Sequence, residues 1–93
     1  MENFEMVFIL KGSIEENKAN EIIKTLLSKI YNKVKNDMNK VFIRKKDLVY
    51  EINREKTGYY CLVPYTSSQE VSSKLSKEIR NNKNVIKTVT VKL

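Results

Sequence analysis

Histidine is absent from this chain, which removes the commonest general base and the commonest metal ligand. There is one cysteine, Cys61, so the chain alone can build neither a disulfide nor a thiol metal site. Its place inside an apolar run suits a small buried hydrophobe. The two glycines, Gly12 and Gly58, lie far apart, and no Gly-rich phosphate loop exists. No Pro/Gly/Ser-rich linker, repeat or low-complexity stretch divides the sequence. No apolar run approaches the roughly 20 residues needed to span a bilayer. The N-terminus carries Glu2 and Glu5 instead of a basic region followed by an apolar stretch, so a soluble, cytoplasmic protein is expected. Ser13, Ser67 and Ser68 are explained as helix caps, with no base candidate at hand to activate them. Glu15, Glu16, Glu51, Glu55 and Glu70 read as solvated or helix-start charges. These absences argue against catalysis, and no enzyme activity, metal, cofactor, membrane partner or small-molecule substrate is expected.

What is present fits one small globular domain over residues 1–93. A chain of that length has room for one hydrophobic core, and 41% apolar with 31% charged residues is a folding composition. Lys and Arg number 18 against 11 acidic residues, a net charge of +7. An excess of that size on so small a surface favours a polyanionic partner.

Six elements are expected. Phe4 to Leu10 is an apolar run with aromatic and β-branched content, ended by Lys11-Gly12, and reads as a strand. Ser13-Ile14-Glu15-Glu16 has the form of a capping box, which starts a helix. After it Ala19, Ile22, Ile23, Leu26, Leu27, Ile30, Tyr31 and Val34 recur at spacings of three and four, one apolar stripe. From about Met38 to Ile52, Val41-Phe42-Ile43 and Leu48-Val49-Tyr50 bracket the charged Arg44-Lys45-Lys46-Asp47, one long strand with a bulge or bend at the charges. A polar turn over Asn53 to Gly58 leads to Tyr59-Tyr60-Cys61-Leu62-Val63, giving an antiparallel hairpin, and Pro64 marks the end of that strand. A second capping box, Ser67-Ser68-Gln69-Glu70, opens a helix with Val71, Leu75 and Ile79 on its inner face, closed by Asn81-Asn82. Val85 to Leu93 alternates as a half-buried strand does.

The order β-α-β-β-α-β, with right-handed crossovers, places both helices on one face of a four-stranded antiparallel sheet, a ferredoxin-like α+β sandwich. Alternation points Met6, Phe8 and Leu10 one way and Val7 and Ile9 the other; Tyr60 and Leu62 likewise oppose Tyr59, Cys61 and Val63. Two helices cover only one face, so Val7, Ile9, Tyr60 and Leu62 are expected to form a surface for a partner molecule.

Basic clusters stand at Arg44-Lys45-Lys46, at Arg54 and Lys56, at Arg80 and Lys83, and at Lys87 and Lys92. Lys18, Lys24, Lys29 and Lys33 on the first helix read as solvated charges. Consecutive cations in a strand repel one another, so an anion or an edge position has to explain the first cluster. Cations of this kind neutralise phosphates and make binding salt-dependent. The RNA-recognition motif K/R-G-F/Y-G/A-F-V-x-F/Y fails around Gly58 at Thr57, Tyr60, Cys61 and Pro64, which disfavours a free module that stacks bases on its sheet. An acylphosphatase on the same layout would need an anion-cradling loop with an Arg after the first strand, and Lys11-Gly12-Ser13 lacks one.

From Phe4 to Leu93 the chain resembles the bacterial ribosomal protein S-six family. The resemblance rests on Phe4-Glu5 followed by Met6-Val7-Phe8-Ile9-Leu10, on Arg44-Lys45-Lys46-Asp47-Leu48-Val49-Tyr50-Glu51-Ile52, on Gly58-Tyr59-Tyr60, and on Asn84-Val85-Ile86-Lys87 with Val91-Lys92-Leu93. Arg44 replaces the family's Gly, Val49 a small residue and Glu51 a frequent Pro, and no acidic C-terminal extension follows Leu93. The resemblance implies a structural, non-enzymatic constituent of the small ribosomal subunit in the cytoplasm, supporting subunit assembly and translation. It further implies binding to small-subunit (16S-type) rRNA in the central domain, or platform, as a heterodimer with ribosomal protein S-eighteen. Arg44, Lys45, Lys46, Lys87 and Lys92 are the expected RNA contacts.

Overall fold

A computed structural model describes residues 1–36 and 40–93. Strand β1 (Glu2–Lys11) leads through a tight turn into helix α1 (Glu16–Tyr31); a two-residue strand β2 (Lys35–Asn36) follows, then β3 (Phe42–Ile52), β4 (Glu55–Ser67), helix α2 (Gln69–Arg80) and β5 (Val85–Lys92). Met38, where the sequence places the start of the third element, lies outside the described residues. All pairings are antiparallel: β4 and β5 flank β1, while β2 and β3 share the outer edge of β4. The layout is the expected ferredoxin-like one.

The even positions of β1, Phe4, Met6, Phe8 and Leu10, point under the helices and are buried, as are Tyr59, Cys61, Val63 and Tyr65 of β4. Helix α1 covers them with Ala19, Ile23, Leu26, Leu27 and Ile30, the apolar stripe read from its 3.6-residue period. Each of the leucines and isoleucines taken fully from water contributes about 1.5–3 kcal/mol, and the Ala19 methyl less than about 1 kcal/mol. Helix α2 sits differently. Leu75 and Ile79 are buried, but so are Ser72 and Ser76, whose hydroxyls bond Tyr65 Oη at 2.7 Å and Thr90 Oγ1 at 2.6 Å.

Local chemistry corrects four expectations. Ser13 does not cap α1: its amide and hydroxyl donate to the two carboxylate oxygens of Glu55, at 3.0 and 3.1 Å, because a charged bidentate acceptor outcompetes a local cap. Glu15 takes the N-cap place instead, accepting from the Asn17 amide at 3.2 Å. In the second helix Ser68, one residue later than expected, is the cap, and its hydroxyl accepts from the Val71 amide at 3.2 Å. Pro64 does not end its strand. It pairs with Glu5 of β1, and the described outer-edge pairings stop at Leu62 and resume at Tyr65, so the missing amide falls where the edge is not in register.

The fourth correction concerns the bend in β3. Arg44, Lys45 and Lys46 pair regularly with Tyr60, Tyr59 and Gly58, and register is lost only after Asp47, to return at Ile52 opposite Glu55. The irregularity therefore follows the charges, over Leu48 to Glu51. The polar turn is correspondingly shorter than read, with Asn53 and Arg54 alone between strands at φ 49° and 66°, the left-handed pair that a two-residue hairpin of type I′ requires.

Candidate nucleic-acid interface

The sheet face away from the helices is organised in rows set by strand register. Arg44 lies opposite Tyr60, Tyr60 opposite Ile9, and Ile9 opposite Lys87; the next row runs Phe42, Leu62, Val7, Val89. With strands about 4.8 Å apart, Arg44 and Lys87 stand at opposite edges of the sheet about 14 Å from each other. Between them is an apolar strip in which Val7, Tyr60 and Leu62 are half-buried while Phe42 and Val89 are 56% and 44% exposed.

The out-of-register segment of β3 bends over this face. Leu48, Val49, Tyr50 and Ile52 wall an open groove of about 520 Å³ together with Ile9, Tyr60 and Lys87. Ile9 is consequently buried, at 5% exposure, whereas Val7, Tyr60 and Leu62 on the same face are only half-buried. Val49 and Tyr50 stand out at the tip, 86% and 79% exposed.

Each cation of the β3 cluster lies over an aromatic ring. The Arg44 guanidinium is 5.2 Å from the centroid of Phe42, Lys46 Nζ is 4.3 Å from that of Tyr60, and Lys45 Nζ is 5.1 Å from that of Tyr59. At exposed sites such contacts contribute about 0.5–1 kcal/mol each. Alternation along the strand splits the triplet, however. Arg44 and Lys46 share the open face with Lys87, whereas Lys45 goes to the helix side, opposite Tyr59, whose hydroxyl donates to the Ile14 carbonyl at 2.9 Å. Lys92 is also on the helix side, opposite Phe4, and its ammonium reaches Glu2 Oε1 at 2.5 Å.

Of the five cations read from the sequence as RNA contacts, the fold thus gathers Arg44, Lys46 and Lys87 on one face and leaves Lys45 and Lys92 on the other. The edge position of β3 and the three rings explain how consecutive cations coexist in a strand. The exposed apolar residues Phe42, Val89 and Val91 belong to the same face and were not singled out. Carrying the alternation of β1 across the antiparallel pairings to β4, β3 and β5 places them there.

Among the described residues no three His, Cys, Asp or Glu side chains come together to hold a metal ion, and no helix is long and apolar enough to cross a membrane. Burial pushes the Cys61 thiol up to about 12, far from a reactive thiolate. What the open face offers is fixed cations beside an apolar strip.

Fold and face together define an α+β protein of ferredoxin-like layout with the surface chemistry of a binding domain. The family model described as Ribosomal protein S6 matches residues 3–92. The chain is 32% identical over 97 residues to "Small ribosomal subunit protein bS6" of Shouchella clausii, covering 99% of this chain and 97% of that one. To the protein of the same name from Alkaliphilus oremlandii it is 30% identical over 96 residues, covering 100% and 98%. The crystal structure of 30S ribosomal protein S6 from Thermotoga maritima superposes with a TM-score of 0.85 over 99% of this chain and 87% of that one; at 19% identity that likeness speaks for the fold. This chain belongs to the ribosomal protein S6 family. Membership settles two expectations, since the family is one of cytoplasmic structural proteins of bacteria and not of enzymes.

Proposed function

We propose that residues 1–93 act as a single domain and structural constituent of the small ribosomal subunit, binding 16S-type rRNA in the central domain, or platform, together with ribosomal protein S-eighteen. The observation that carries this reading, beside family membership, is the open face: Arg44, Lys46 and Lys87 frame an apolar strip that the protein's own helices do not cover. Cations carried on edge strands whose backbones lie about 14 Å apart suit separate phosphates of a folded RNA. The half-buried Val7, Tyr60 and Leu62, with the exposed Phe42 and Val89, suit the buried centre of a protein interface, which the S-eighteen partner supplies.

Sedimentation of a lysate of the source bacterium on a sucrose gradient tests the proposal. The chain should travel with small subunits and stay there through a moderate salt wash. Recovery only among free proteins at the top of the gradient would rule the role out.

A further inference from the structure

A cleft between α2 and β5 lies on the helix side of the sheet, away from Arg44, Lys46 and Lys87. Gln69, Ser73, Ser76 and Arg80 of α2 line one wall, and Thr90 and Lys92 of β5 the other. The spacing of three and four places the helical residues on one stripe. Thr90 and Lys92 face them because they pair with Met6 and Phe4, the positions of β1 that point under the helices. None of the lining residues is acidic.

Inside the cleft, donors outnumber acceptors. The Ser76 and Thr90 hydroxyls satisfy each other at 2.6 Å. Lys92 is held by Glu2, whose carboxylate comes from the neighbouring strand β1. Among the described residues the Arg80 guanidinium, the Gln69 carboxamide and the Ser73 hydroxyl have no hydrogen bond or ion pair. A guanidinium presents five N–H donors in a fork that matches two oxygens of one tetrahedral anion. The complement to this arrangement is a group with several acceptor oxygens and negative charge, and the open volume of about 330 Å³ admits a phosphate with its flanking sugar.

We infer that the α2–β5 cleft is a second phosphate site, in which Arg80, Lys92 and the hydroxyl-bearing walls take one phosphodiester of an RNA strand. The identity of that ligand rests on the RNA-binding reading above, but the residues are separate from those of the open face. Glu2 is a built-in rival for Lys92, so the site binds more tightly when that carboxylate is neutralised.

The test is a titration with a uridine octanucleotide, followed by amide resonances and by the salt dependence of affinity. The backbone amides of Ser73, Arg80 and Thr90 should shift. Arg80→Gln should abolish those shifts and lower the slope of log K against log salt by about 0.7, one single-strand phosphate contact, while shifts at Arg44, Lys46 and Lys87 survive. Glu2→Gln should tighten binding. Cleft amides unmoved by the octanucleotide, an unchanged slope in the Arg80 variant, or shifts with inorganic phosphate but none with RNA would each overturn the inference. Movement in the cleft with none at Arg44, Lys46 and Lys87 would support it and remove the open face from the RNA-binding reading instead.

Discussion

Replacing Arg44, Lys46 and Lys87 together by Ala separates the open face from the rest of the basic surface. If each cation neutralises one phosphate, the triple variant releases about three fewer counterions. The slope of log K against log salt should then fall by about 2 on single-stranded RNA and nearer 3 on duplex. Lys45→Ala is the matched control, since the same strand carries it to the helix side, over Tyr59; its slope should stay that of the unaltered protein. Anisotropy of a labelled small-subunit rRNA fragment, read at several salt concentrations, supplies the slopes. Two ring contacts, Arg44 on Phe42 and Lys46 on Tyr60, vanish in the triple variant, so the urea midpoint should drop by the equivalent of about 1–2 kcal/mol while the circular dichroism spectrum stays native. An unchanged slope, or a fall in Lys45→Ala as large as in the triple variant, would refute the assignment of phosphate contacts to this face.

Three further outcomes follow from the packing. A Cβ on Gly12 would lie 1.9 Å from Thr57 Oγ1 and 2.5 Å from the Thr57 carbonyl oxygen, whereas one on Gly58 would meet chiefly the Ile9 side chain at 2.4 Å. Backbone cannot yield as a methyl group can, so Gly12→Ala should lower urea stability by about 3 kcal/mol and by more than Gly58→Ala; the reverse order would contradict the geometry. The Cys61 thiol, pushed up to about 12 by burial, should react with a thiol reagent at pH 8 only as fast as the chain unfolds, and a rate that denaturant does not change would contradict its inaccessibility. The Lys33 ammonium hydrogen-bonds Glu78 and holds that carboxyl below its ordinary value of 4.5. A carboxyl lowered in the folded state contributes stability above its unfolded value, and that contribution disappears as pH falls through the folded one. Lys33→Met should therefore lower stability at neutral pH by less than about 1 kcal/mol for so exposed a pair, read as a slightly lower melting temperature, with the difference vanishing in acid; a difference that grows in acid would contradict the pairing.

The element order and the core were legible because hydrophobic period reports burial directly. The stripe from Ala19 to Ile30 and the alternation of β1 needed nothing beyond the local sequence. Features set by partners distant in sequence were not legible. Ser13 has the form of a cap, yet Glu55, 42 residues away, holds it. Pro64 reads as a stop, yet it is accommodated where β2 and β3 leave the edge of β4 out of register. On the open face, the cations were visible as a run but their sides were not taken from it. In a strand Arg44 and Lys46 must oppose Lys45, a split that the register then extends to Lys87. The burial of Ile9 had no local signal, because it depends on how the segment after Asp47 bends back.

The two helices are not fastened alike. α1 is sealed by aliphatic side chains, whereas half of what α2 buries is serine, hydroxyl against hydroxyl. Such a seam is directional and can be replaced, bond for bond, by solvent. Under gentle denaturation α2 should lift from the sheet ahead of α1, exposing its amides to exchange while the first helix and the central strands remain protected, so the molecule carries one permanent wall and one that can be unlatched.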